Sequence, residues 1–153
     1  MTNFARTPWL AEQDFLEIDL TVASKNFLSD DGRVGLHPRA KSPAYLELGD
    51  NVLKLTNLEL EGTPALLAVI LDEQGKPAAQ QVFANGRHEI GRHATPGLSL
   101  NRSASRKHLG LTVMTNSIQL RDLNSRNGSI LHVTDSAVSQ GQWTHITSDP
   151  YRK

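Results

Sequence analysis

Residues 65–90 read ALLAVILDEQGKPAAQQVFANGRHEI, a sequence in which short apolar runs alternate with turn-forming residues. The run Leu66–Leu71 has the length and composition of a buried strand, and a polar, Gly- and Pro-containing segment ends it. Gln80–Phe83 and Arg87–Ile90 predict two more short strands. The dipeptide Asn85-Gly86 between them favours a β-hairpin. This stretch therefore predicts β-structure rather than helices.

Similar strand signals continue on both sides of this stretch. The remaining predicted strands are Phe15–Leu20, Tyr45–Leu48, Val52–Leu55, Leu58–Leu60, Leu109–Val113, Ile118–Leu123, Ser129–Val133 and Trp143–Ile146. A tight turn is predicted at Gly49–Asn51 and a long loop at Ser24–Pro43, while Pro8–Phe15 is the longest helical candidate. Many short strands without a long amphipathic helix predict an all-β sandwich or barrel.

The segment Glu61–Pro64 is a plausible domain boundary because it combines charge, glycine and proline. We therefore interpret residues 1–60 as an N-terminal extension of unknown role that contains β-strands, and residues 61–153 as the main domain. The sequence leaves open whether the extension is a separate unit or adds strands to the same sandwich.

Charge is distributed unevenly along a chain whose formal net charge is 0. Residues 1–83 carry 7 Lys/Arg and 12 Asp/Glu, a balance of −5, whereas residues 84–128 carry 7 and 2, a balance of +5. A basic segment within a neutral chain indicates a local anion site rather than general affinity for nucleic acid.

The chain contains no cysteine, which excludes disulfides, thiolate nucleophiles and cysteine-bound metals. No apolar run approaches the roughly 18 residues that a membrane helix needs, and charge interrupts the N-terminal apolar run too early for a secretory signal. We expect a soluble cytoplasmic protein without a membrane segment.

Three short motifs lie at strand ends within the basic segment. They read IGR at residues 90–92, SRKH at 105–108 and DLNSRNG at 122–128. Their side chains are mainly donors, which suits a phosphate monoester with its charge of about −1.5 to −2 and three acceptor oxygens. Arg92 offers a planar fork and Ser105 a hydroxyl. Asn127 can both donate to and accept from a peptide backbone.

Together, the three motifs resemble the forkhead-associated (FHA) domain, a family that binds phosphothreonine peptides. The resemblance covers about a third of the chain strongly and implies an antiparallel β-sandwich of about 11 short strands. It implies that Arg92 and Ser105 hold the phosphate with Arg106 and Arg126 beside it. Asn127 would bind the peptide backbone. The remaining motif residues, Gly91, His108 and Gly128, would support the site.

The resemblance therefore implies a phosphothreonine-dependent interaction module in signalling, with no catalytic residue, cofactor or metal. The partner would be a protein phosphorylated by an upstream Ser/Thr kinase. The sequence departs from the family at Gly141-Gln142-Trp143, where a Gly-Asp is usual. The sequence of the loop 93–103 also differs from the family's pattern. The family's preference for residues that flank the phosphothreonine therefore cannot be assigned to this chain.

Other functions fit the residues less well. Ser105, His108 and Asp122 could be imagined as a hydrolase triad, but Gly-x-Ser-x-Gly is absent. The histidines lack the paired spacing of a zinc site. A nucleic-acid backbone binder would lack a stacking platform, since no aromatic residue lies between Phe83 and Trp143. A sandwich that serves only as an assembly scaffold remains an alternative.

Overall fold

The computed structural model of the chain describes residues 16–21, 34–38 and 43–134. These residues form ten strands and one 3₁₀ helix. The strands are β1 (Leu16–Asp19), β2 (Val34–Leu36), β3 (Ala44–Leu48), β4 (Asn51–Leu60), β5 (Thr63–Leu71), β6 (Pro77–Phe83), β7 (Gly86–Ile90), β8 (Leu109–Val113), β9 (Ile118–Asp122) and β10 (Ser129–Val133), and the 3₁₀ helix is Pro96–Leu98.

The strands form two antiparallel sheets, so the predicted all-β sandwich is confirmed. One sheet has six strands in the order β1-β10-β3-β4-β5-β6, and the other has four in the order β2-β9-β8-β7. Leu46 and Leu53 from the first sheet and Leu111 and Leu120 from the second are almost fully buried in a common core. The alternating burial along β3, β8 and β10 is the period of strands with one face toward a core.

Nearly all strand predictions that fall on described residues agree with the structure. The exception is β2, Val34–Leu36, which lies inside the predicted loop at Ser24–Pro43 and pairs with β9. Its three residues, VGL, are too few to give a periodic signal, and their burial comes from tertiary contact. The helical candidate Pro8–Phe15 and the strand Trp143–Ile146 lie outside the described residues.

The hairpin predicted at Asn85-Gly86 is wrong. β6 pairs with β5 at the edge of one sheet, and β7 pairs with β8 at the edge of the other, so the dipeptide carries the chain between the two layers. A type I′ turn needs positive φ at both central residues, and Gly86 has a φ of 132° while Asn85 is not in that region.

The true two-residue hairpin of this kind lies at Glu61-Gly62, where φ is 53° and 81°. It joins β4 to β5, the most extensively paired strands of the fold, with register pairs from Val52↔Leu71 to Leu60↔Thr63. The sequence boundary at Glu61–Pro64 is therefore a tight turn within one sheet. The sequence left open whether residues 1–60 form a separate unit or add strands to the same sandwich. Their described part adds strands to both sheets.

Within the described residues, no helix has the length and apolar character needed to cross a bilayer.

We expect a fragment of residues 61–153 not to fold on its own. β10 would lose both of its neighbours, β1 and β3, and nine of the 24 core residues lie before position 61. Truncating a single core Leu or Ile to Ala costs about 2–5 kcal/mol, against a total stability of about 5–15 kcal/mol for a domain. Thermal unfolding followed by circular dichroism, with the full chain as control, tests this expectation. A cooperative transition in the fragment would contradict it.

Candidate phosphate-binding site

Three loops meet at one end of the sandwich. They are the β3–β4 turn, the β7–β8 loop (residues 91–108) and the β9–β10 loop (residues 123–128), which we call the site loops. Ser103 joins all three: its hydroxyl oxygen accepts the Asp50 N–H at 2.7 Å, and its carbonyl accepts Nδ2 of Asn127 at 2.8 Å. The first residues of the three sequence motifs, Ile90, Ser105 and Asp122, are 15 to 32 positions apart in the chain, and the motifs thus lie together.

Gly91 allows the two ends of the β7–β8 loop to touch. A Cβ at this position would lie 2.1 Å from the carbonyl oxygen of Arg106, a distance that no side chain can occupy. Backbone hydrogen bonds join the two ends here, from Arg92 N–H to the Ser105 carbonyl at 3.0 Å and from His108 N–H to the Ile90 carbonyl at 2.8 Å. The glycine of the IGR motif is therefore required by close backbone contact.

Arg92 is half-buried and held at one atom of its guanidinium. Its Nε donates to the Ala104 carbonyl at 2.7 Å. This bond fixes the plane of the fork beside Ser105 and leaves the two terminal nitrogens available as donors, because no described residue accepts from them.

Ser105 is oriented from two sides. Its N–H donates to Nδ1 of His108 at 2.9 Å, and its hydroxyl oxygen accepts the backbone N–H of Arg126 at 3.1 Å. Because the hydroxyl oxygen is already an acceptor in this bond, its hydrogen can donate outward to an anion. Arg92 and Ser105, predicted to share a phosphate, are thus brought together through the Ala104–Ser105 backbone.

His108 is fully buried and connects the second motif to the third. Nδ1 accepts from the Ser105 N–H, and Nε2 lies 2.8 Å from the Gly128 carbonyl, to which it must donate. This pattern requires the neutral ring with its hydrogen on Nε2. Burial lowers the pKa of His108, against smaller raising effects from the Gly128 carbonyl and the charge of Asp122. With both nitrogens bonded to the backbone, the ring forms no hydrogen bond with the Ser105 hydroxyl.

Asp122 shapes the β9–β10 loop from a buried position. One carboxylate oxygen accepts the Ser125 N–H at 2.9 Å, and the other accepts the Ser125 and Ser129 hydroxyls, each at 2.6 Å. The Ser125 hydroxyl oxygen in turn accepts the N–H of Gly128, whose φ is 85°. Asp122 and Ser125 are thus supports beyond those that the sequence predicts, and the signal for them in the sequence is the spacing Asp-x-x-Ser, which is typical of side-chain-to-backbone turns.

Asn127 is exposed at the tip of this loop. Its bond to the Ser103 carbonyl uses one amide hydrogen and leaves the second hydrogen and the carbonyl oxygen for an external group. Gly128, one of the predicted supports, has a positive φ that favours glycine, and a Cβ there would lie 3.1 Å from the Thr21 hydroxyl. The structure therefore brings every predicted site residue to one end of the sandwich.

Arg106 and Arg126 are exposed, and their guanidinium groups have no carboxylate partner among the described residues. Lys107 instead faces Glu89, with Nζ 3.8 Å from Oε1, in an exposed ion pair. Within the described parts of the chain, His, Asp and Glu form no cluster that could hold a metal ion. The site is thus a basic surface built from arginines, a hydroxyl and an amide.

Fold and site together define a β-sandwich with a basic, donor-rich loop surface at one end. Comparison of the chain with protein-family models, with curated proteins and with solved structures gave no match.

We expect Gly91→Ala to destabilise the protein by about 1–3 kcal/mol, because the new methyl group would force the IGR and SRKH segments apart. Gly97→Ala is the matched control, since a Cβ at Gly97 would meet nothing closer than the Gln81 side chain at 3.8 Å. Chemical denaturation measures both variants. Equal stability of the two would contradict the close contact assigned to Gly91.

We expect the protein to lose stability as pH falls below about 6.5, the ordinary histidine pKa. In the unfolded chain His108 gains a proton near that pH, whereas burial lowers its pKa in the fold. The unfolded state then binds more protons, so the free energy of unfolding decreases until the folded pKa is reached. This contribution is fully present above the unfolded pKa.

Denaturation of the wild type and of His108→Gln across this pH range separates His108 from the other five histidines. The wild type should show the steeper loss. An NMR titration in which the His108 ring protonates at or above the ordinary histidine pKa would refute the assigned neutral bridge.

Proposed function

We propose that this protein is a non-catalytic, phosphothreonine-dependent interaction module. The observation that carries the proposal is the placement of Arg92 and Ser105. Arg92 Nε donates to the carbonyl of Ala104, the residue before Ser105, and the Ser105 hydroxyl oxygen accepts the Arg126 N–H, so each side chain is fixed by one internal hydrogen bond and keeps a donor for an external anion.

A phosphate monoester matches these donors. The two terminal nitrogens of Arg92 suit two phosphate oxygens, and the Ser105 hydroxyl suits the third. Arg106 and Arg126 add positive charge on either side, with no described carboxylate to neutralise them. Because the donors are fixed before the ligand arrives, little conformational entropy is lost on binding.

The ligand is proposed to be an extended peptide rather than free phosphate. Asn127 has one amide hydrogen and its carbonyl oxygen unused, and these two groups suit the C=O and N–H of a peptide backbone. Its bond to the Ser103 carbonyl holds the amide beside Arg92 and Ser105, the residues proposed to bind the phosphate. Phosphorylation then switches binding on, since an unmodified threonine offers Arg92 one neutral hydroxyl oxygen in place of a charged group with three acceptor oxygens.

The resemblance to FHA domains supports the same function. Motifs that are separate in the sequence lie at one end of an antiparallel sandwich, the arrangement which that resemblance implies. Preference for phosphothreonine over phosphoserine is also implied by it. We further propose a cytoplasmic setting, which the absence of cysteine favours. We also propose that a Ser/Thr kinase acts upstream.

Catalysis finds less support than binding. A serine hydrolase needs a base at the serine hydroxyl, yet Nδ1 and Nε2 of His108 bond to the Ser105 N–H and the Gly128 carbonyl. The carboxylate of Asp122 bonds to Ser125 and Ser129. The His108 ring and the Asp122 carboxylate therefore shape the loops.

We expect the full chain to bind a phosphothreonine peptide with a low-micromolar Kd, about −8 kcal/mol. Arg92→Ala should weaken binding by at least about 100-fold, since it removes two charge-assisted bonds of about 1.5–3 kcal/mol each. Ser105→Ala should weaken it by about tenfold. An oriented phosphothreonine peptide library first selects a ligand. Isothermal titration calorimetry with the selected peptide then measures these values.

Arg87→Ala is the matched control, because Arg87 is exposed at the start of β7, at the opposite end of that strand from the IGR motif. It should bind like the wild type. Denaturation midpoints of all variants separate loss of binding from loss of fold. Normal binding by folded Arg92→Ala would refute the phosphate role of Arg92, and equal binding of phosphoserine and phosphothreonine peptides would refute the threonine preference.

A further inference from the structure

The dipeptide Asn-Gly occurs twice in the chain, at Asn85-Gly86 and at Asn127-Gly128. In this sequence an asparagine side chain reacts readily with the backbone, because the glycine that follows leaves the attacking nitrogen unhindered. Both asparagines are exposed. Asn127 lies in the β9–β10 site loop, whereas Asn85 lies in the connection from β6 to β7, at the end of β7 remote from the IGR motif. The two copies therefore allow a direct comparison of surroundings.

The reaction is deamidation, which needs only water. The backbone nitrogen of the glycine loses its proton and attacks Cγ of the asparagine, and the side-chain nitrogen leaves as ammonia. Water then opens the cyclic succinimide at one of its two carbonyls, which gives aspartate or isoaspartate. Both products carry a new carboxylate, and isoaspartate adds one carbon atom to the backbone. Ring closure requires a side chain that can turn toward the glycine and a glycine N–H that can be released.

Hydrogen bonds oppose both requirements at Asn127-Gly128. Nδ2 of Asn127 donates to the Ser103 carbonyl at 2.8 Å, which fixes the side chain. The Gly128 N–H donates to the Ser125 hydroxyl oxygen at 3.0 Å, and the Gly128 carbonyl accepts from Nε2 of His108 at 2.8 Å. The side chain and the following peptide are therefore held apart from each other's reaction by separate partners.

The bond to the Gly128 N–H is itself anchored at a buried group. The Ser125 hydroxyl donates to one oxygen of Asp122 at 2.6 Å, and the Ser125 N–H donates to the other at 2.9 Å. Because the hydroxyl hydrogen is directed to Asp122, which is buried, the hydroxyl oxygen stays available to accept from Gly128. The Gly128 nitrogen can therefore lose its proton only after the loop opens locally.

The side chain of Asn85 has no such restraint. Within the described parts of the chain it forms no hydrogen bond. A Cβ added to Gly86 would meet nothing within 4 Å, so the space around the reacting peptide is open. Asn85 also lines an open groove together with Leu60 and Pro64, which gives water access to the ring that would form.

The backbone around Asn85 is held on one side only. Nε2 of His88 lies 2.8 Å from the Ala84 carbonyl, a bond to the peptide that precedes Asn85. Ring closure instead involves the peptide that follows it. Gly86 is the first residue of β7 and forms the last register pair of the β7–β8 ladder, with Val113. Strand ends open at a lower free energy than strand centres.

We propose that Asn85 is a site of spontaneous deamidation and that the Asp122–Ser125–Gly128 network protects Asn127 from the same reaction. The modification itself does not depend on the proposed function, but its consequence for binding does. A carboxylate at position 127 repels a phosphate, whereas one at position 85 lies at the remote end of β7. Ageing of the protein thus falls on the connection between the sheets and spares the ligand site.

The test is incubation of the full chain in warm, neutral buffer, followed by peptide mapping with mass spectrometry. This method distinguishes asparagine, aspartate and isoaspartate at each position. We expect Asn85 to convert at least about tenfold faster than Asn127, since Asn127 must first lose two hydrogen bonds. In denaturing urea the two rates should become similar, because both dipeptides are then free of the fold.

Ser125→Ala removes the acceptor of the Gly128 N–H and should raise the rate at Asn127 by about tenfold while the rate at Asn85 stays unchanged. Thr115→Ala is the matched loss of a hydroxyl, from an exposed residue of the β8–β9 turn, and should change neither rate. Circular dichroism establishes that each variant is folded. Asn85→Gln should abolish conversion at position 85.

Three results would overturn the proposal. Equal rates at Asn85 and Asn127 in the folded wild type, or no conversion of Asn85, contradict the assigned modification site. A rate at Asn127 that stays low in folded Ser125→Ala removes the protective role of the network. If this variant does not fold, the wild type decides, because protection requires Asn127 to react more slowly in native buffer than in urea.

Discussion

The neutral ring of His108 forms the connection on which the loop end of the sandwich depends. One nitrogen accepts from the Ser105 N–H and the other donates to the Gly128 carbonyl, so a buried side chain joins the β7–β8 and β9–β10 loops beneath their two exposed hydrogen bonds. Both bonds require the same tautomer, and burial, which lowers the pKa of the ring, keeps it in that form. Ser105 and Asn127 owe their relative placement to this bridge.

Around this bridge, buried polar groups support exposed charged ones. Asp122 and Asn51 are each at most 5% exposed, and each accepts a hydrogen bond from a loop backbone N–H and also bonds to a polar side chain. Among the described residues, Arg92 is the one site arginine whose guanidinium is held by an internal hydrogen bond, through its Nε. An exposed arginine on a fixed backbone can bind an anion without an internal carboxylate competing for it. Stability and anion recognition are thus assigned to different side chains.

Sequence reasoning succeeded wherever a strand was long enough to show its period. β5 and β8 were predictable from their apolar runs and bounding turns. It failed where the outcome depended on another part of the chain. β2 is a strand because β9 pairs with it, and Asn85-Gly86 joins two layers because β6 and β7 have partners in different sheets. Glu61-Gly62 resembled a domain boundary for the same reason, because the pairing of β4 with β5 is not visible in the local sequence.

The sequence by itself determined the residue types of the site and the all-β character of the fold. An excess of donor groups over carboxylates is visible in the linear order, as is the period of two in the strands. Only the tertiary structure decided that the motifs meet, and that Asn51 and Asp122 support them. These contacts join residues up to 53 positions apart, and hydrogen bonds at such separations depend on how the two sheets pack rather than on any local propensity.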